Sequence, residues 1–134
     1  PVFGVGWGGY PDAYPAYSRF PIAYQASHHM GSHNLYLEIL SDAGILGLAA
    51  FLWVVVIFFR EVGRTIRRAP SPLLRASAVG TTGAMITILV HGFVNNLGPS
   101  DKMGLGFFSL LGLMVVLGRL VRKAEENAER RESA

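Results

Sequence analysis

The chain of 134 residues is too apolar for an ordinary soluble domain, because 51% of its residues are hydrophobic and only 16% are charged, against about 25% charged residues in soluble domains. It has no cysteine, which excludes disulfides and thiolate metal sites. A net charge of +3 would suit a nucleic-acid partner only if the basic residues formed one patch, and most of them are divided between two distant segments.

The chain opens with a glycine-rich stretch, PVFGVGWGG, over residues 1–9. Its spacing, G-x-G-x-G-G, is not the dinucleotide-binding fingerprint, so we expect a turn region rather than a phosphate cradle. Three tyrosines follow at helical spacing, Tyr10, Tyr14 and Tyr17, among prolines that limit any helix to short pieces. Tyrosines beside a membrane usually form an interfacial belt, and a platform for sugar stacking is the alternative.

Three histidines crowd the next segment, at His28, His29 and His33. Metal binding is disfavoured because there is no HExxH motif and no cysteine, and Gly31 interrupts any helix that would align His29 with His33. The letters HHMGSH also resemble a purification tag, but a tag would stand at a terminus. A general base and a purely structural histidine therefore remain as the two interpretations of this cluster.

Residues 33–42 are predicted to form a short amphipathic helix, with Leu35, Ile39 and Leu40 on an apolar side and Glu38 and Asp42 on a polar one. Gly44 permits a bend from this helix into the apolar run that follows. Asn34 has two possible roles, which are to orient His33 or to cap the helix. The cap is favoured because asparagine is a preferred N-cap residue.

Three apolar runs follow, over residues 43–59, 76–97 and 103–118. A helix that spans a membrane needs about 20 apolar residues. The second run meets this alone, and the other two end at Arg60 and Arg119, whose long side chains can reach the interface. Buried helices of a soluble bundle are the alternative, but those should show a polar face. We therefore predict spans at about 43–60, 76–97 and 103–119.

The basic residues predict the orientation of these spans. Ten of the twelve fall in two segments: Arg60, Arg64, Arg67, Arg68 and Arg75 between the first two runs, and Arg119, Arg122, Lys123, Arg130 and Arg131 after the third. The positive-inside rule places both segments in the cytoplasm. Residues 1–42 and the 98–102 loop would then face outward, and the basic residues need no nucleic acid to explain them.

The predicted fold is an all-α integral membrane protein. Residues 1–42 form a partly helical outer segment that carries the candidate catalytic motif, residues 43–122 hold three transmembrane helices, and residues 123–134 are a charged cytoplasmic tail. Because the chain begins with Pro1 and shows no signal peptide, we expect it to be the C-terminal part of a larger polytopic protein.

Polar residues mark the outer end of the second predicted span, where Asn95, Asn96 and Asp101 could border a site. His91 lies about one turn deeper. A polar residue inside a span suggests function by default, and a hydrogen bond to a neighbouring helix is the alternative for His91.

The motif around His33 resembles a known family signature. His33-Asn34, nine further residues and then Gly44-Ile45-Leu46-Gly47 give the pattern H-N-x9-G-x-x-G. This pattern is similar to the end of the large periplasmic loop in the O-antigen ligase and O-antigen polymerase superfamily, and FGVGWGGY resembles the glycine-rich stretch that opens that loop. The likeness covers residues 3 to about 60, and extends more loosely through HGFVNN and FFSLLGL.

The resemblance implies a multi-pass glycosyltransferase of the bacterial inner membrane, with residues 1–42 in the periplasm. Such enzymes move a glycan from an undecaprenyl-pyrophosphate carrier to lipid A–core, to a growing polysaccharide or to a protein hydroxyl. They use no nucleotide sugar, metal or other cofactor. A non-catalytic three-span scaffold or transporter component is the alternative function.

The candidate site residues follow from the resemblance at His33, and from residue type and position at the others. His33 matches the family histidine and would act as the general base, since imidazole titrates near neutral pH. Arg19, the only outward-facing arginine, would bind the pyrophosphate through its bidentate guanidinium. Tyr17, Asn34 and Asn95 are the further candidates for substrate binding. Family members carry additional arginines in earlier loops that this chain lacks.

Overall fold

The computed structural model describes residues 2–6, 8–17, 33–95 and 102–133. Within these residues the chain forms four helices and no strand. The helices are α1 (Tyr10–Tyr17), α2 (Leu35–Arg68), α3 (Pro72–His91) and α4 (Lys102–Glu132). The all-α prediction is therefore confirmed.

Helices α2, α3 and α4 are each long and apolar enough to cross a membrane. Their large apolar side chains stay mostly uncovered by the chain itself: Trp53 is 65% exposed, Val90 62% and Phe108 69%. Apolar surface of this extent is unfavourable in water and is covered in a membrane by lipid or by other helices. Together with the length of the helices, this makes the chain a membrane protein with three candidate spans.

Helix α2 is bent at Gly44, whose backbone (φ 69°, ψ −170°) is not helical. The bend separates a short first part, residues 35–43, from a long second part, residues 45–68. This arrangement agrees with the predicted short helix and with the predicted bend at Gly44. The second part continues to Arg68, eight residues beyond the predicted end of the first span.

Helix α3 begins after Ser71, whose hydroxyl oxygen accepts a hydrogen bond from the Leu74 N–H at 3.3 Å. Pro72 occupies the first helical position, where a missing N–H costs nothing. Three threonines, Thr81, Thr82 and Thr87, donate their hydroxyls to carbonyls four residues earlier, and these bonds satisfy the polar groups inside an apolar helix.

The second predicted span ran to residue 97, whereas α3 ends at His91 and residues 92–94 form a turn. Sequence hydropathy missed this end because GFV continues the apolar run without a helix-breaking pair. The boundaries of the membrane itself stay a prediction.

Two compact units divide the chain. One contains Pro1–Trp53 and Val90–Asp101, and the other Val54–Leu89 and Lys102–Ala134. The first unit buries Leu35 and Asp42, and holds the candidate site. The second unit has an apolar core that includes Phe58, Val62, Ala78, Met85 and Leu117.

Candidate active site

His33 stands two residues before the first residue of α2 and is exposed. Its backbone is left-handed, with φ 47°, and it is the only non-glycine residue of this kind in the described part of the chain. Such a conformation is uncommon for a residue with a side chain, and it persists where the surrounding structure holds it. The imidazole is thus attached to a backbone that is fixed on its C-terminal side by the start of a helix.

Asn34 is the N-cap of α2. Its side-chain oxygen accepts a hydrogen bond from the Leu37 N–H at 3.0 Å, and its carbonyl accepts one from the Glu38 N–H at 2.9 Å. The side-chain amide donates to the Phe93 carbonyl at 3.1 Å. The capping role that the sequence favoured is therefore present, and a role in substrate binding stays a prediction.

The turn that follows α3 lies against the start of α2. The Leu35 N–H donates to the Gly92 carbonyl at 2.8 Å and to the Asn95 carbonyl at 3.1 Å. The Asn95 amide nitrogen is 3.3 Å from Nε2 of His91. The bond to Leu35 places the backbone of Asn95 beside the start of α2.

An aromatic cluster packs the same turn onto α2. The rings of Tyr36 and Phe93 have centroids 4.7 Å apart, and those of Tyr36 and Phe51 are 6.2 Å apart, edge to face. Aromatic pairs at such distances stabilise by about 0.5–1.5 kcal/mol beyond the area they bury. Sequence reasoning did not single out Tyr36 or Phe93, because no periodicity connects residues of α2 with a turn about sixty positions later.

Asp42 organises the glycine-rich segment. Its carboxylate accepts hydrogen bonds from the N–H groups of Gly8 at 2.7 Å and Tyr10 at 3.2 Å, and so places a negative charge at the start of α1, which the helix dipole favours. Two backbone bonds from Val5 and Gly6 to the carbonyls of residues 41 and 42, each 2.9 Å long, continue the contact. The segment therefore lies along the end of the first part of α2.

The geometry of this segment changes one expectation, about Asp42, and agrees with another, about the glycine-rich turn. Asp42 was placed on the polar side of a short helix, but it is only 5% exposed, because the glycine-rich segment covers it. The N–H groups of Gly8 and Tyr10, which a phosphate cradle would have used, are instead bonded to the Asp42 carboxylate. The turn interpretation of residues 1–9 is the one that agrees with this geometry.

The glycines of the motif have a steric explanation. A Cβ at Gly44 would overlap the Val2 carbonyl, and one at Gly4 would overlap the backbone of Asp42. Both residues also have φ near +69°, which favours glycine. A Cβ at Gly47 would overlap the side chain of Ala43 across the bend. The G-x-x-G pattern thus forms the bend and leaves room for the N-terminal segment beside it.

Several predicted site residues lie outside the described residues, namely Arg19, His28, His29, Asn96 and Asp101. Tyr17 is the last residue of α1, and only its backbone is described. Within the described ranges, no group of three histidine, aspartate or glutamate residues is placed to hold a metal ion. The geometry therefore brings together His33, Asn34 and Asn95, and leaves the position of Arg19 as a prediction.

Comparison with known proteins adds one finding. Residues 1–52 match the O-antigen ligase family model. The match confirms the predicted resemblance, and it contains the glycine-rich segment, the His33-Asn34 pair and the G-x-x-G bend. No curated protein and no solved structure matches the chain.

The matched segment overlaps largely with the compact unit that holds the candidate site. The match covers residues 1–52, and the first of the two chain segments in this unit is Pro1–Trp53. The contacts of Asp42 and Gly44 join the two ends of this segment, the glycine-rich start and the motif at residues 33–47. The match supports a glycosyltransferase type of membrane function.

Proposed function

We propose that the chain is part of a membrane glycosyltransferase of the O-antigen ligase type, which moves a glycan from an undecaprenyl-pyrophosphate carrier to an acceptor hydroxyl. The observation that carries this proposal is the family match over residues 1–52, with an exposed histidine at the capped start of a candidate membrane helix. The acceptor is lipid A–core, a growing polysaccharide or a protein.

The proposed reaction is a substitution at the anomeric carbon of the donor glycan. The acceptor oxygen forms the new bond to this carbon while the bond to the pyrophosphate oxygen breaks. The acceptor hydroxyl loses its proton to His33, because a neutral imidazole accepts a proton near working pH. Undecaprenyl pyrophosphate leaves with the electron pair of the broken bond, and no metal or other cofactor takes part.

Arg19 is proposed to stabilise the pyrophosphate. A guanidinium suits this task because its fork of N–H groups matches two phosphate oxygens at once. Tyr17, at the end of α1, is proposed to stack on a sugar ring. The anchoring of α1 by Asp42 supports this assignment, since it ties the start of the helix that ends at Tyr17 to the short first part of α2, which follows His33.

Asn34 and Asn95 are proposed to border the acceptor. The hydrogen bonds of Asn34 to Leu37 and Phe93 hold the residue that follows His33 in place. The turn that contains Asn95 is bonded to the backbone of Leu35. These two residues would therefore act mainly by fixing the position of His33 relative to the acceptor hydroxyl.

A transfer assay with a lipid-linked donor distinguishes a glycosyltransferase from a non-catalytic scaffold or transporter component. The full-length protein in liposomes is expected to transfer glycan when it is given an undecaprenyl-pyrophosphate-linked glycan and lipid A–core, and to release undecaprenyl pyrophosphate in equal amount. A nucleotide sugar should not replace the donor. Mass spectrometry of the extracted lipids measures both products. If a range of lipid-linked donors and acceptors gave no transfer, a scaffold or transporter component would be the better account.

The proposed location is the inner membrane, with residues 1–42 in the periplasm and the 60–75 loop and C-terminus in the cytoplasm. Ten of the twelve basic residues lie in the two proposed cytoplasmic segments. Cysteine variants test this, since the chain has no cysteine of its own. A membrane-impermeant thiol reagent applied to intact spheroplasts should label Gln25→Cys, and should not label Arg67→Cys.

Ser133→Cys is a second cytoplasmic reporter in the same experiment, and it removes none of the basic residues that set the orientation. It should be protected in intact spheroplasts and labelled after lysis. Labelling of Arg67→Cys and Ser133→Cys without lysis, together with protection of Gln25→Cys, would reverse the proposed orientation.

A further inference from the structure

A cavity of about 230 Å³ lies in the second compact unit, between the second part of α2 and α4. Its apolar surface comes from Met114, Val115 and Val121. Its polar surface includes three arginines, Arg64, Arg68 and Arg122. The cavity thus places guanidinium groups from two helices next to an apolar wall.

The charges of this cavity favour an anion. Glu61 and Glu125 also line it, and Glu61 forms an ion pair with Arg64. Arg68 and Arg122 are exposed and form no ion pair among the described residues. Exposed guanidinium groups that face one space can bind a phosphate with several charge-assisted hydrogen bonds.

The size and the position of the cavity narrow the choice of anion. Pockets for drug-sized ligands measure about 300–1,000 Å³, so this smaller space suits a headgroup and not a whole lipid. The cavity lies where the apolar sequence of α2 and of α4 gives way to arginines, at Arg60 and Arg119. An amphiphile with a phosphate at the arginines and an acyl chain along the apolar wall matches this transition.

We propose that this cavity binds the headgroup of an anionic phospholipid, with Arg68 and Arg122 as the phosphate ligands. Basic pockets between membrane helices commonly bind such headgroups on the cytoplasmic side, which is the side assigned to this end of α2 and α4. The site is separate from His33 and goes beyond glycan transfer. Its occupant is a lipid of the surrounding bilayer.

Native mass spectrometry of the full-length protein in detergent tests the proposal, with phosphatidylglycerol as the anionic lipid and phosphatidylcholine as the neutral one. The wild-type protein should bind phosphatidylglycerol more tightly. The Arg68→Gln/Arg122→Gln protein is expected to lose roughly tenfold or more in affinity for phosphatidylglycerol, since it lacks two charged hydrogen-bond donors.

The matched control is Arg75→Gln/Arg119→Gln. It removes the same charge from the same end of the candidate spans, but neither residue lines the cavity. It should lose less than about threefold, the range of exposed charge interactions. If both double variants lost affinity equally, or if neither did, the proposed site would be refuted, because a general attraction of basic residues for anionic lipid would explain the binding.

Two further measurements test the roles of the guanidinium groups and of the acyl chains. Arg68→Lys/Arg122→Lys keeps both charges that guide membrane insertion, and should still lose affinity because an ammonium cannot bind bidentately. Unchanged affinity in this variant would contradict phosphate binding by the guanidinium forks. Glycerol phosphate, which has the headgroup chemistry without the acyl chains, should not displace the lipid. Displacement at equal concentration would assign the cavity to a soluble phosphate and overturn the lipid proposal.

Discussion

Replacement of His33 by asparagine in the full-length protein is expected to lower the rate of glycan transfer by about 10²–10⁴-fold, which is the usual contribution of a general base. Asparagine removes the base without straining the backbone, because it tolerates the left-handed conformation at this position (φ 47°) and cannot accept the proton. The rate is measured per mole of purified protein in liposomes that contain the lipid-linked donor.

His33→Ala should show the same loss of transfer and an additional loss of stability, since alanine is strained at positive φ. The comparison separates chemistry from folding. If His33→Asn retained more than about half of the wild-type rate, His33 would not be the base. Thermal unfolding in detergent provides the control, because the asparagine variant should unfold close to the wild-type temperature.

Gly44→Ala is expected to have the second largest effect. The backbone of Gly44 lies in a region of φ and ψ that is nearly exclusive to glycine, and a Cβ there would overlap the Val2 carbonyl. The strain alone should lower the free energy of unfolding by about 1–3 kcal/mol. Transfer should fall by about 10²-fold, since a displacement of about 1 Å in an active site has an effect of this size.

The control for this variant is Gly112→Ala. Gly112 lies inside α4, and a Cβ there would meet no atom of the chain within 4 Å. It should keep the wild-type transfer rate and unfold at the wild-type temperature or slightly above it, since alanine favours a helix more than glycine does. Equal behaviour of Gly44→Ala and Gly112→Ala would contradict the role assigned to the bend, because both variants add one methyl group to a helix of the same protein.

Local features of the site were predictable from the sequence. An asparagine before an amphipathic stretch predicts an N-cap, and Asn34 makes that bond. A glycine between a short helix and an apolar run predicts a bend, and Gly44 forms it. Each of these features depends on residues within one or two helical turns, so the chemistry of a few neighbours decides it.

The features that depend on distant contacts were not predictable. Asp42 is spaced like an exposed polar residue, and its burial is explained only by its contacts with distant residues, namely Gly6, Gly8 and Tyr10. The contact of Phe93 with Tyr36 joins two segments far apart in the chain. The end of α3 at His91 was missed for a similar reason, since apolar residues continue through the turn that packs on α2.

The most direct test of the central claim compares the three clustered histidines in one transfer assay. His28→Ala/His29→Ala should transfer glycan nearly as well as the wild-type protein, whereas His33→Asn should lose about 10²–10⁴-fold, and a chelator should leave the wild-type rate unchanged. The mechanism would be contradicted, and the cluster identified as a metal site, by either of two results. One is an inactive His28→Ala/His29→Ala protein, and the other is wild-type activity that a chelator abolishes and zinc restores.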